Sequence, residues 1–275
     1  MELHETTIGD GREPLVFLHG LFGQGRNFSR IAKSVGDLAT SVLPDLPNHG
    51  SSPWTVEFDY DEQADLVADW LSRRVDSPVS LVGHSMGGKV AMRVALRHPH
   101  LISKAMVVDI SPAPNDAVDQ FRQLVGAMAR FPLERVTSRT EAEQLLADDV
   151  PDLGVRRFLL QNLRLKDGTW CWAANLDLLG DSLPLILGWP PITATYDGPV
   201  VWVNGAESQY VQPEHAAPMR ALPRTLQSRS RAPGTGFTPT NPNASSLCCG
   251  DSWIPASLKR LRTGAGQPAT SNHAP

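Results

Sequence analysis

Short apolar runs alternate along the first part of the chain with longer segments in which apolar residues recur every three or four positions. The apolar runs predict strands at residues 3–8, 14–20, 39–44, 78–83, 104–110 and 199–204. The periodic segments predict helices at residues 27–36, 61–75, 86–97 and 213–222. Strands that alternate with helices in this way are typical of a doubly wound, mostly parallel sheet, so we predict the α/β class.

The alternation stops between residues 113 and 195. Helical segments joined by prolines fill this interval, at residues 117–131, 139–147 and 155–163. An insertion between two strands of such a sheet is the usual place for a helical cap over a site. We therefore predict a sheet domain in two parts, residues 1–112 and 196–223, separated by an inserted helical cap at residues 113–195.

The most informative motif is Gly83-His84-Ser85-Met86-Gly87, in which a predicted strand runs directly into a predicted helix. Gly-x-Ser-x-Gly in this context is a nucleophile elbow, a strained turn that needs glycines where the strand and the helix come close. The hydroxyl of Ser85 would stand at the N-terminal end of a helix, where negative charge is stabilised. Ser85 is therefore the predicted nucleophile.

A serine nucleophile also needs two backbone N–H donors for the oxyanion, a base and an acid. The turn after His19-Gly20 offers the N–H of Leu21 or Phe22, and Met86 offers the second donor. We expect His19 to stabilise this turn rather than to act as the base.

Two carboxylates compete for the position of the acid. Asp109 ends the predicted strand after the elbow, at the carboxyl edge of the sheet, where sites in open α/β sheets gather. Glu207 lies in the loop after the strand at residues 199–204, which is the more usual position of the acid. We favour Asp109 and keep Glu207 as the alternative acid. A purely structural role at a strand end is the alternative for either residue.

Four motifs in this order resemble the small esterases of the abhydrolase type in the α/β-hydrolase superfamily. They occupy residues 19–23, 45–53, 83–89 and 108–112. The resemblance extends to about Arg224 and implies the α/β-hydrolase fold. It also implies hydrolysis of carboxylic esters or thioesters of small acyl groups by a Ser-Asp-His triad, with a small-molecule substrate as partner, no metal and no organic cofactor.

Further residues near these motifs have less defined roles. We expect His49 to stabilise its loop by hydrogen bonding and His84 to be a structural histidine of the elbow. The alternative for His19, His49 and His84 is a place in the substrate pocket. Candidates for the lining of an acyl pocket are Phe22, Met86, Phe121, Met128 and Trp172. The alternative for these five side chains is simple packing of the interior.

The base is missing from its expected place. Members of the resembled family carry it in a Gly-x-Gly-His-Trp motif, which this chain lacks, and the histidines after Tyr210 are His215 and His273. Residues 1–223 contain 28 acidic and 19 basic residues, whereas residues 224–275 contain 1 and 6, with six prolines. Residues 224–275 are therefore interpreted as an atypical tail, disordered or frameshifted.

The codons of residues 232–243 suggest how the motif was lost. Read one base earlier with free third positions, they can spell Gly-Ala-Gly-His-Trp-Ile-His-Ser-Asp-Gln-Pro-Glu. Our hypothesis is that a frameshift replaced the catalytic histidine and the last helix. The alternatives to an esterase are a catalytically inactive scaffold and a cofactor-free haloperoxidase-like enzyme.

Composition and charge limit the number of domains, the class of partner and the location that we expect. The chain has 275 residues, of which 41% are hydrophobic, enough for the core of one such domain. Its net charge of −4 does not indicate a nucleic-acid partner, and no apolar run is long enough to span a membrane. We therefore expect a cytoplasmic location. Cys171 stands alone in the hydrolase-like part, which argues against a disulfide framework, and the adjacent Cys248 and Cys249 lack the spacing of metal ligands.

Overall fold

A seven-stranded, mostly parallel sheet runs through the part of the chain that the structure describes. This computed structural model describes residues 1–205, 208, 210–220 and 225–230. The strands are β1 (Glu5–Ile8), β2 (Glu13–Leu18), β3 (Ala39–Pro44), β4 (Val79–His84), β5 (Ile102–Val108), β6 (Leu163–Lys166), β7 (Thr169–Trp172), β8 (Val200–Gly205) and β9 (Thr225–Ser230). The large sheet has the order β1-β3-β2-β4-β5-β8-β9, in which β1 pairs antiparallel with β3 and the other pairs are parallel. The predicted α/β class with a mostly parallel sheet is confirmed.

Helices follow most of the strands. They are α1 (Ser29–Ser34), α2 (Tyr60–Ser72), α3 (Met86–Arg97), α4 (Val118–Ala129), α5 (Arg139–Leu145), α6 (Leu153–Leu160), α7 (Leu176–Asp181), α8 (Leu183–Leu187) and α9 (Ala216–Arg220). A 3₁₀ turn at Gly25–Phe28 leads into α1. Among the described helices, none is long and apolar enough to cross a membrane.

Strand β2 shows why the central strands appear in the sequence as nearly continuous apolar runs. Leu15 and Phe17 pack into one hydrophobic cluster, while Val16 and Leu18 pack into a second, larger one. Successive side chains of a strand point to opposite faces, so both faces of β2 are buried. A parallel strand covered on both sides is therefore apolar at nearly every position.

Between β5 and β8 the chain forms α4 to α8 and the antiparallel hairpin β6–β7. We call residues 113–195 the insert. The hairpin differs from the prediction, which continued a helix to residue 163. Its turn is Asp167-Gly168, with φ of 49° and 79°, and an Asp-Gly pair with positive φ at both residues is typical of a two-residue hairpin. This local signal was present in the sequence, but the helical period upstream obscured it.

Strand β9 lies inside the segment that we separated as an atypical tail. Its backbone pairs in parallel with β8 over residues 225–230, and the hydrophobic pattern did not predict a strand there. Arg224 and residues 231–275, including the codon match at residues 232–243, lie outside the described residues.

Candidate active site

The turn between β4 and α3 has the geometry of a nucleophile elbow. Ser85 has φ 51° and ψ −120°, a conformation that is strained for a residue with a side chain. A Cβ atom at Gly83 would lie 2.2 Å from the carbonyl oxygen of Gly87, and one at Gly87 would lie 2.4 Å from that of Leu18. The two glycines therefore allow the strand and the helix to come close enough to hold Ser85 in this turn.

Ser85 caps the N-terminus of α3 through its backbone. Its carbonyl oxygen accepts hydrogen bonds from the N–H of Gly88 and Lys89, at 2.8 and 3.1 Å. A Cβ atom at Gly20 would lie 3.3 Å from Cβ of Ser85, so the turn after β2 lies against the serine. Among the described residues, no hydrogen bond joins the Ser85 hydroxyl to another side chain.

The turn after β2, which we call the oxyanion loop (residues 20–25), presents backbone donors on this side. Leu21 and Phe22 are buried, and Phe22 has φ 60°. The N–H of Gly23 donates to the carbonyl oxygen of Gly20 at 2.8 Å and closes the turn. Within the described part of the chain, the N–H of Phe22 makes no hydrogen bond. Met86, as the first residue of α3, also has an N–H without a partner inside the helix.

Two buried amide side chains hold the oxyanion loop, and neither was predicted from the sequence as a site residue. Asn162 Nδ2 donates to the carbonyl oxygen of Phe22 at 2.7 Å. Gln24 Nε2 donates to Asn162 Oδ1 at 3.2 Å and to the carbonyl oxygen of Gln161 at 3.1 Å. Asn162 and Gln24 are 0% and 2% exposed, so these bonds are shielded from water. They join the insert to the loop that carries the backbone donors.

Asn162→Ala is expected to lower the free energy of unfolding by about 1–3 kcal/mol, because the buried Phe22 carbonyl loses its side-chain donor. Urea unfolding measures this change. Hydrogen exchange in the peptide that contains Phe22 should also become faster. Asn175→Ala is the matched control, since Asn175 Nδ2 bonds the side chain of Asn48 at 3.1 Å in a half-buried part of the insert. Equal exchange in the Phe22 peptide of both variants would contradict a specific role for Asn162.

Asp109 follows β5 as Ser85 follows β4. Val108 pairs with His84 in the sheet, so Asp109 and Ser85 each directly follow one of two paired strand ends. Asp109 has φ 56°, and its N–H donates to the carbonyl oxygen of Val203 at 2.8 Å. This places Asp109 at the carboxyl edge of the sheet, between the elbow strand and β8.

The side chain of Asp109 faces the end of β8. Its Oδ1 lies 3.5 Å from the N–H of Gly205, at the long limit of a hydrogen bond. Burial, and to a smaller extent the negative charge of Asp109, raise the pKa of Tyr210 to about 12. Glu207, the alternative acid, lies outside the described residues.

His19 and His49 are buried behind the oxyanion loop, with ring centroids 5.1 Å apart. His19 donates from Nδ1 to the carbonyl oxygen of Gly20 and accepts at Nε2 from the N–H of Leu46, both at 2.9 Å. His49 donates from Nδ1 to the carbonyl oxygen of Pro47 at 2.9 Å. Burial lowers the pKa of both rings, that of His49 to about 3. Both are therefore neutral side chains that hold loops.

Two other histidines lie nearer the surface. His84 is half-buried, and a Cβ atom at Gly20 would lie 3.2 Å from its Nδ1. His215 ends a 3₁₀ turn before α9, and its Nδ1 accepts a hydrogen bond from the N–H of Gln212 at 3.1 Å. Its ring is thus fixed within its own turn.

The five candidates for the acyl pocket share one hydrophobic cluster with the sheet. Phe22, Met86, Phe121 and Met128 are buried members, and Trp172 packs against them. The ring of Trp172 lies 5.4 Å from that of Phe131, and its Nε1 donates to the carbonyl oxygen of Met128 at 3.0 Å. The cluster therefore spans the elbow and the insert, and the hydrogen bond fixes Trp172 within the insert.

Two buried basic side chains on α3 hold the end of the insert. Lys89 Nζ donates to the carbonyl oxygens of Leu187 and Gly188, both at 2.7 Å. Arg93 donates to the carbonyl oxygen of Pro190 at 3.0 Å and forms an ion pair with Asp61. Burial lowers the pKa of Lys89 to about 7. In a sequence, a lysine at this position is expected on the surface, so the contact between Lys89 and the end of the insert was not predicted.

No cluster of three or more His, Cys, Asp or Glu side chains suited to a metal ion occurs in the described part of the chain.

Comparison of the chain with known protein families gives a match. The model of a family described as the alpha/beta hydrolase family matches residues 15–242. The chain belongs to this family. The match covers the elbow, the oxyanion loop, Asp109 and the insert.

Curated relatives include lipases and esterases. The chain is 41% identical over 204 residues to a protein of Danio rerio named sn-1-specific diacylglycerol lipase ABHD11, covering 72% of this chain and 64% of the relative. It is 29% identical over 202 residues to Esterase YbfF of Escherichia coli, covering 74% and 77% of the two chains. A solved structure named marine microorganism esterase superposes with a TM-score of 0.78 at 28% identity, covering 83% of this chain and 91% of that one. The chain thus spans slightly less than two thirds of the length of the first of these relatives.

Proposed function

We propose that this chain is built as a serine hydrolase that cleaves carboxylic esters or thioesters of small acyl groups. The geometry of Ser85 carries the proposal, because a strained serine at the start of a helix and against a loop of backbone donors has no evident structural purpose. Relatives named lipases and esterases support ester bonds as the substrate class. We assign the insert as the cap over the acyl pocket.

In the proposed reaction the hydroxyl of Ser85 attacks the carbonyl carbon of the ester and transfers its proton to a histidine base. The N–H of Met86 and that of Phe22 or Leu21 stabilise the oxyanion of the tetrahedral intermediate. The leaving alcohol or thiol takes the proton from the histidine. Water, activated by the same base, then hydrolyses the acyl-enzyme and frees Ser85. Asp109 orients the histidine.

The chain as written lacks the histidine that this reaction needs as its base. In the neighbouring reading frame a histidine falls at position 235, where this chain has Thr235. We infer that the chain as written retains the nucleophile, the acid and the oxyanion donors but turns over esters slowly. A catalytically inactive scaffold is the second candidate function, and the absence of the histidine motif is the observation that favours it.

Labelling with a fluorophosphonate tests the nucleophile. The reagent should modify Ser85 in a base-restored variant, in which residues 232–243 are replaced by Gly-Ala-Gly-His-Trp-Ile-His-Ser-Asp-Gln-Pro-Glu. Ser85→Ala should abolish the label, whereas Ser34→Ala, a change of an exposed serine on α1, should preserve it. Peptide mapping identifies the modified residue. Equal labelling of the Ser85→Ala protein would refute the assignment.

A further inference from the structure

A basic groove begins directly after the oxyanion loop. It has a volume of about 600 Å³ and is lined by Arg26, Asn27, Ser29, Arg30, Lys33 and Gln161. Three of these six side chains are cations, and none is a carboxylate. The groove lies between the start of α1 and the end of α6, so it combines the sheet domain with the insert.

The three cations form one stripe along a helical segment. Arg26, Arg30 and Lys33 are spaced by four and three residues across the 3₁₀ turn and α1, and all three are exposed. Arg30 and Lys33 lie three residues apart on α1 and are neighbours on its surface, where like charges destabilise the helix, and Arg26 of the preceding 3₁₀ turn lines the same groove. The stripe is therefore an electrostatic cost to the fold, unless an anion binds to it.

Carboxylates of the protein do not neutralise this stripe. Three other exposed arginines do have carboxylate partners, namely Arg122 with Asp119, Arg130 with Asp149 and Arg157 with Glu143. In the part of the chain that the structure describes, no carboxylate oxygen lies within 4 Å of the cationic groups of Arg26, Arg30 or Lys33.

Arg26 has more cations than anions around it. Although the residue as a whole is exposed, desolvation of its guanidinium by the surrounding protein is the main cause that lowers its pKa, and the nearby charges of Arg164 and Arg139 lower it further. Asp45 acts in the opposite direction, but its carboxylate is buried and accepts hydrogen bonds from the N–H of Gly25 and Ser51. The groove is thus a positive site on a part of the chain, residues 1–223, in which acidic residues outnumber basic ones.

We propose that this groove binds a phosphate group of a ligand. A guanidinium presents two parallel N–H donors that match two phosphate oxygens, and a lysine adds a compact positive charge. Arg26 and Arg30 supply two such donors, Lys33 the third charge, and Ser29 a hydroxyl at the wall of the groove. The ligand is a phosphate monoester, a pyrophosphate or the phosphodiester headgroup of a lipid.

The groove is connected to the candidate active site through Gln161. Its carbonyl oxygen accepts from Arg26 at 2.8 Å and from Gln24 at 3.1 Å. The next residue, Asn162, holds the carbonyl oxygen of Phe22. A phosphate bound to Arg26 would therefore lie beside Gln161, whose carbonyl oxygen also accepts the hydrogen bond from Gln24 of the oxyanion loop. The binding proposal itself does not depend on the proposed hydrolase activity.

Titration calorimetry of the full chain with pyrophosphate tests the site at an ionic strength of roughly 0.01 M, where screening is weak. The triple variant Arg26→Gln/Arg30→Gln/Lys33→Gln should bind pyrophosphate at least about tenfold more weakly, because three charge-assisted contacts are lost. The matched control is Arg122→Gln/Arg130→Gln/Arg157→Gln, which removes the same charge from three exposed, ion-paired sites. This control should change the affinity less than about twofold, since distant exposed charges are screened.

Vesicles distinguish the two sources of the phosphate. Sedimentation with phosphatidylcholine vesicles that contain phosphatidylglycerol, competed by pyrophosphate, would identify a lipid headgroup as the ligand. Binding of pyrophosphate without sedimentation would identify a soluble phosphate compound. Equal losses in the two triple variants would mean that only net charge matters, and would overturn the proposal. So would the absence of binding to both probes.

Discussion

Replacing residues 232–243 by Gly-Ala-Gly-His-Trp-Ile-His-Ser-Asp-Gln-Pro-Glu is expected to raise ester turnover by about 10⁴-fold or more, because this change supplies the missing base. Without a base the Ser85 hydroxyl stays protonated, and only binding and the oxyanion donors can accelerate the reaction. Hydrolysis of short-chain 4-nitrophenyl esters, compared with the chain as written, measures the change in kcat/KM.

The control for this experiment is the same replacement with Thr235 retained, which lacks the introduced histidine at position 235 but keeps the second one, at position 238. It should be as slow as the chain as written. If it is as fast as the full replacement while the chain as written is slow, the histidine at position 238 is the base. If all three proteins are equally fast, the base lies elsewhere. His215→Ala in the chain as written then tests the nearest alternative, although the Nδ1 of His215 already accepts a hydrogen bond within its own turn. A large loss on that change would contradict our interpretation of residues 224–275.

The sheet and the elbow were predictable because their sequence signals are local. The central strands are covered on both faces and are therefore mostly apolar, as β2 shows from Leu15 to Leu18. The elbow is equally local, since the backbone contacts that forbid a Cβ atom at Gly83 and Gly87 lie within the strand, the helix and the neighbouring strand. Such constraints leave a signature in a few consecutive residues.

The buried polar side chains that hold the candidate site could not be predicted from local sequence signals. Asn162 and Phe22 are separated by 140 positions in the chain, and an asparagine near the end of a helix has many roles. Lys89 and Arg93 carry charges, which usually indicate solvent exposure. Both are 1% exposed because carbonyl oxygens at the end of the insert, and Asp61 for Arg93, surround them. Only the packing of the insert on α3 reveals these contacts.

The insert is therefore joined at two separate places, by polar side chains, to the elements that form the candidate active site. Asn162 connects it to the oxyanion loop, and Lys89 connects it to the helix that begins after Ser85. Buried hydrogen bonds of this kind fix geometry more narrowly than apolar contacts do, since each unpaired group would be costly. We infer that a change in the insert alters the placement of the backbone donors as well as the shape of the acyl pocket.

In the base-restored variant, Asp109→Asn is expected to lower kcat by about 10⁴-fold, because an asparagine favours the wrong tautomer of the histidine. Glu207→Gln, which removes the alternative carboxylate, should leave kcat within about threefold on the same grounds. The prediction follows from the position of Asp109, one residue past a strand end that is paired with the elbow strand. Steady-state hydrolysis of 4-nitrophenyl esters measures both variants.

The pKa of Tyr210 gives an independent measurement of the charge on the Asp109 carboxylate. The negative charge of Asp109 contributes to its raised pKa, so Asp109→Asn should lower the pKa of Tyr210, as measured by ultraviolet titration of the phenol against a Tyr210→Phe reference. A lower pKa together with the loss of kcat would show that the folded site is intact and that the missing carboxylate is the cause. If Glu207→Gln instead causes the larger loss of kcat, Glu207 is the acid, and the role of Asp109 is to hold the end of β5 beside β8.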